Sequence, residues 1–234
     1  MFNMSLVNVF RIGSCRTDYI VNKKRYIVNT PEFTHTTREA LHLIDLYEGK
    51  ISLGNCVFPN LHNHNLKEEI KNFIDADIYL IEISSLKIVD DLYGHQYNIN
   101  KLKREIGDED FRWGMIKNDY KNEWKLNYHV QAVDDLVDDI ELISKRLEKP
   151  TFFQSHANFD FMGSKIPDRK VIDQGLLASG EQKIILSQIF RGINCNLTNP
   201  LNEDHSIDVN HLTDYAYNIL FDYFENMLLN NKII

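Results

Sequence analysis

Residues 76–85 read ADIYLIEISS. The centre of this stretch is an almost unbroken apolar run. A strand solvated on one face alternates apolar and polar residues, whereas a strand covered on both faces stays apolar, as in a parallel sheet between layers of helices. Working outward, LVNVFRI (6–12), RYIVN (25–29) and TFFQSH (151–156) read as further strands. Between and after them lie helical stretches. THTTREALHLIDLYEG (34–49) has Thr34 to Thr37 as caps and Gly49 as its end, and LKEEIKNFI (66–74) is short and amphipathic. VQAVDDLVDDIELISKRLEK (130–149) has an acidic outer face and is stopped by Pro150. KVIDQGLLASGEQKIILSQIF (170–190) reads as helix weakened at Gly175 and Gly180, and LTDYAYNILFDYFENMLLN (212–230) closes the chain as an aromatic-rich helix. Strands alternating with helices predict a three-layer α/β/α domain with a flavodoxin-like, mostly parallel sheet of about five strands.

At 234 residues, 43% of them hydrophobic, the chain is expected to form one domain spanning 1–234. Residues 87–128 break the alternation with a polar, charged and aromatic stretch. They read as an insertion, either a lid facing substrate or a solvated connection.

The net charge of −8 excludes a non-specific grip on nucleic acid or on an anionic membrane, while leaving room for a local basic pocket. No stretch approaches the roughly 20 apolar residues of a membrane span, and the N-terminus has no signal-peptide pattern. Three cysteines without a CxxC pair form no disulfide framework, so a reducing, cytoplasmic setting is expected. Neither GxGxxG nor a P-loop is present.

Three strand ends carry reactive side chains. In a parallel sheet the ligand site lies beyond the C-terminal ends of the strands. Gly13-Ser14-Cys15 follows the first strand and offers two adjacent nucleophiles on a turn. Ser155-His156-Ala157-Asn158 follows the strand at 151, where His156 and Asn158 are placed to bind substrate or complete an oxyanion site. His35, in FTHTT, is either a substrate contact or a cap. Asp208-Val209-Asn210-His211 precedes the final helix, and such a DxxH can orient an imidazole and stabilise its charged form while it takes a proton. Asp168-Arg169 would put a cation near an anionic substrate or form a surface ion pair. The HxH of LHNHN (61–65) lacks neighbouring Cys or carboxylate ligands in sequence, so no metal is expected there. Gly54-Asn55-Cys56 reads as a turn and Cys195 as a buried small side chain.

A nucleophile after the first strand combined with DxxH before the last helix resembles the SGNH (GDSL-type) hydrolase superfamily. The Gly13-Ser14-Cys15 block is closest to its GSCFA-type and polysaccharide-biosynthesis acetyltransferase offshoots. The resemblance implies Cys15 as nucleophile with Ser14 as rival, His211 as general base and Asp208 as its orienting acid. It implies an oxyanion hole from backbone N–H groups near Cys15 and from Thr34, His35 and Thr36. Ser84 or Ser85 would complete the hole, standing where the family carries Asn. The missing glycine after the second strand and the serine in place of asparagine depart from the pattern. The implied activity is transfer or hydrolysis of O-acyl groups on a carbohydrate or glycan precursor, with no required cofactor and with acyl-CoA as a candidate donor. The alternative is an inactive binding module of the same fold.

Overall fold

Apolar runs become strands, and the fold settles their order. The computed structural model describes residues 6–21, 23–31, 34–62, 65–107, 111–112, 115–116, 126–156, 167–193, 197 and 212–234. β1 (Val7–Ile12), β2 (Tyr26–Asn29), β3 (Ile78–Ile83), β8 (Thr151–Ser155) and β9 (Lys183–Ile184) form a five-stranded sheet in the order β2-β1-β3-β8-β9. Every pairing in it is parallel. Together with helices on both faces this is the expected three-layer, flavodoxin-like α/β arrangement.

The pleat sends alternate residues of each strand into two cores. Phe10 and Ile12, Tyr79, Ile81 and Ile83, and Phe153 pack against α1 (Thr37–Tyr47), α2 (Leu66–Asp75), α4 (Val133–Leu147) and α5 (Pro167–Ala178). Val7 and Val9, Ile78 and Leu80, and Phe152 pack on the other face, against the 3₁₀ helix Cys15–Ile20 and α7 (Asp214–Asn230). That is why the centre of residues 76–85 is apolar on both faces, with Glu82 as its one charged residue. Each fully buried aliphatic side chain here contributes about 1.5–3 kcal/mol.

Local signals set the helix ends. Thr36 Oγ1 accepts from the Glu39 N–H at the start of α1, and Thr213 Oγ1 from the Ala216 N–H at the start of α7. Gly175 lets α5 approach α4, because a Cβ there would stand 2.5 Å from Leu136 Cδ2.

The stretch 170–190 departs from the single helix expected of it. α5 ends at Ala178, the chain turns through Gly180 at φ +54°, and the edge strand β9 and the short α6 (Leu186–Ile189) follow. The left-handed turn, favoured by glycine, converts a helical run into helix, strand and helix.

Residues 87–128 are more than a connection. β4 (Lys87–Asp90) pairs antiparallel with β7 (Asn127–Val130), and β5 (Phe111–Arg112) with β6 (Met115–Ile116). β4, β7 and α3 (Ile99–Ile106) carry or flank a small core of Val89, Tyr97, Leu102, Ile106 and Leu126. No helix among the described residues is long and apolar enough to cross a membrane.

Candidate functional site

The chain leaves β1 toward β2 on one side and returns through β3 on the other, so the strand order reverses between β1 and β3. Such a switch point opens a crevice at the C-terminal edge of the sheet. Gly13-Ser14-Cys15 follows β1, Ser84-Ser85 follows β3 and His156 follows β8. All of these except Gly13 line one open cleft of about 730 Å³.

The turn after β1 is fastened from below by a residue that sequence reading passed over. Glu82, fully buried in β3, accepts hydrogen bonds from Ser14 N (2.9 Å), Ser14 Oγ (2.5 Å) and Arg16 Nε (2.5 Å). Burial alone would raise its pKa, but the Arg16 guanidinium and the Ser14 hydrogen bonds overcome that and hold it at about 2. Gly13 is required by the same approach, since a Cβ there would lie 2.6 Å from Glu82 Cβ. The Ser14 hydroxyl is therefore engaged with a carboxylate beneath the cleft floor. Cys15 is the half-buried neighbour at the surface of the cleft. Burial pushes the Cys15 thiol above its ordinary value, and Arg16 only partly opposes this.

His35 sits at the wall. Its Nδ1 is 2.8 Å from Ser84 Oγ and its Nε2 is 3.3 Å from Asn100 Nδ2. Its carbonyl accepts from the N–H groups of both Ser84 and Ser85, each at 2.9 Å. Burial lowers its pKa, so the ring is neutral near pH 7. Glu39 holds this loop from behind, accepting from the His35 N–H and from Asn98 Nδ2, both at 3.1 Å. Its burial raises its pKa to about 7. On the opposite side Arg169 Nη2 lies 2.9 Å from His156 Nε2.

The charge of the cleft opposes that of the chain. Among the described residues, Arg16, Lys87, Lys101, Arg104 and Arg169 line it, against Glu39 as the one lining carboxylate. Three of these cations come from the insertion, which therefore forms a wall of the cleft. Behind Glu39 and Asn98 lies a cavity of about 20 Å³, room for one water. Thr34 Oγ1 and Gln96 Oε1 line it without a hydrogen-bond partner among the described residues.

Residues 7–121 match the family model of the TviD N-terminal domain. Among curated proteins, none matches the chain. The TviD-like span holds β1 to β3, the Gly13-Ser14-Cys15 turn, His35, Glu82 and most of the insertion. It contains the Glu82–Arg16 fastening and ends before β8, His156 and Arg169.

Of the residues singled out from sequence, the fold brings Ser14, Cys15, His35, Ser84, Ser85 and His156 together. Thr34 faces the small inner cavity instead, and Thr36 is the cap of α1. Asn158, Asp208 and His211 lie outside the described residues. Sequence reading missed Glu82, Arg16, Glu39 and the cations of the insertion. Glu82 had a signal: a lone carboxylate inside an apolar strand must have a partner. Ser84 and Ser85 donate their backbone N–H groups to His35, so only their side chains remain as donors to a ligand.

Proposed function

We propose that the chain is an SGNH-like acyl-ester enzyme of polysaccharide biosynthesis that transfers or removes an O-acyl group on a carbohydrate. The observation that carries this reading is the Gly13-Ser14-Cys15 turn opening on a cleft at the switch point of a parallel sheet. The match to the TviD N-terminal domain supports the polysaccharide setting, and the basic lining suits a glycan or donor that carries negative charge.

In this mechanism Cys15 gives its proton to His211, oriented by Asp208, and its sulfur attacks the acyl carbonyl. The oxyanion is received by the Cys15 N–H and the Ser84 hydroxyl. The intermediate collapses to a Cys15 thioester and the leaving group departs with the proton from His211. A sugar hydroxyl or water then loses a proton to His211, attacks the thioester and restores the thiol. Glu82 and Arg16 act as positioning residues that fix the turn. Ser14, bonded to Glu82, is the less accessible nucleophile.

A binding module of the same fold is favoured by the partial burial of Cys15, which pushes its thiol above the ordinary value and disfavours the thiolate. Incubation with acetyl-CoA or p-nitrophenyl acetate, followed by peptide mapping, separates the two. The enzyme reading expects an acetyl thioester on Cys15 that hydroxylamine removes and that persists in Ser14→Ala. No adduct, combined with a thermal shift on adding an anionic oligosaccharide, supports the binding module.

A further inference from the structure

A second cluster of reactive side chains lies outside the cleft, against the core of the insertion. Cys56 follows the 3₁₀ turn Leu53–Asn55, and Asp91 and His95 flank the turn after β4. Their ligand atoms, a thiol sulfur, a carboxylate oxygen and an imidazole nitrogen, lie within 4.8 Å of one another. None of the three lines the cleft. We infer that Cys56, Asp91 and His95 form a binding site for a divalent cation of the zinc class.

The donor set selects the metal. A thiolate with an imidazole and a carboxylate suits a borderline ion such as zinc, whereas magnesium and calcium take oxygen ligands alone. The ligands are also held before any ion arrives. Asp91 Oδ1 accepts from the Tyr93 and His95 N–H groups at 2.9 and 3.0 Å, which fixes the turn that carries both residues. The Tyr97 hydroxyl donates to Asp91 Oδ2 at 2.6 Å and stands 3.1 Å from Cys56 Sγ. His42 Nε2 is 3.3 Å from His95 Nδ1 and restrains that ring from α1. Such supporting contacts orient metal ligands.

Metal bonds of about 2.0–2.3 Å put ligand atoms about 3.3–3.6 Å apart on a tetrahedron. Starting from separations of no more than 4.8 Å, closing the site needs a movement of about 1 Å or less per ligand. Asp91 and His95 are buried and Cys56 is partly exposed, so the ion enters past Cys56. Binding releases the Cys56 thiol proton to solvent. Three protein ligands leave a fourth place for water.

The expected absence of metal rested on two histidines of one segment seen alone. The fold supplies a cysteine and a carboxylate from elsewhere, and puts His62, from that segment, with its ring 4.9 Å from that of His42. Tyr97 is followed directly by Asn98 to Lys101, which line the cleft. The ion would thus clamp the loop at 53–62 to the wall of the cleft.

The test is titration of the metal-free full chain with cobalt(II). The expected result is one cobalt per chain with a thiolate-to-cobalt charge-transfer band, lost in Cys56→Ser and kept in Cys15→Ser. On the unaltered chain, zinc should block iodoacetamide labelling of Cys56 and leave that of Cys15 unchanged, a readout independent of how well any variant folds. Absence of the band, its persistence in Cys56→Ser, or equal labelling of Cys56 with and without zinc overturns the proposal.

Discussion

Replacing Glu82 with glutamine tests the fastening beneath the cleft. The side chain keeps its size and one oxygen but loses its charge, and it takes the carboxylate away from the buried Arg16 guanidinium. Removing one partner of a buried ion pair costs about 3–5 kcal/mol. The depressed pKa of Glu82 points to a similar figure: a carboxyl held from 4.5 down to about 2 corresponds to about 3 kcal/mol at 1.36 kcal/mol per tenfold change. For a chain of this length each kcal/mol moves the melting temperature by about 2–4 °C, so Glu82→Gln should melt about 6–20 °C below the parent at pH 7. The pH dependence has a definite sign. A depressed carboxyl stabilises the fold above its unfolded pKa, and that stability is lost as pH falls from 4.5 toward 2. The gap between parent and variant should therefore be widest above pH 4.5 and close in acid. Calorimetry of both proteins from pH 7 down to pH ~3 measures it. Adding Arg16→Met to Glu82→Gln should recover part of the loss, because it removes the buried positive charge that the carboxylate no longer balances. Equal melting temperatures at pH 7, or curves that stay parallel into acid, would refute the reasoning.

Gly13→Ala forces a Cβ to 2.6 Å from Glu82 Cβ, so it should cost about 1–3 kcal/mol and disturb the Cys15 turn, read as a lower melting point together with altered alkylation of Cys15. Glu39 is protonated more readily folded, near pH 7, than unfolded, so stability should decline as pH rises from 4.5 through 7. Glu39→Gln keeps an acceptor for the His35 and Asn98 donors, and calorimetry should show that decline flattened.

The sheet was legible because burial on both faces leaves a direct mark. Residues 76–85 show it, and so do the reactive residues at the strand ends, Cys15, Ser84 and His156, since strand direction alone places them on one edge. β9 was not legible, because Lys183 and Ile184 form only two residues of edge strand inside a helical run, and Gly180 redirects the chain there. Glu82 escaped notice because an apolar average conceals one charge, and its partners, Ser14 and Arg16, are 68 and 66 residues away. Arg169 was readable as a cation near a ligand. Lys87, Lys101 and Arg104 were not, since their place depends on how the insertion docks. The Cys56, Asp91 and His95 cluster was hidden for the same reason, its members being joined only by the fold.

The central claim is that Cys15 is a nucleophile served by His211. The most direct measurement is the rate of Cys15 alkylation by iodoacetamide against pH, mapped by mass spectrometry, in the parent and in His211→Ala. The account predicts fast labelling of Cys15 near neutral pH that falls sharply in the variant, because a thiol raised by burial reacts there only when a base takes its proton. Slow labelling in both proteins, rising only in alkali and unchanged by loss of His211, would contradict it.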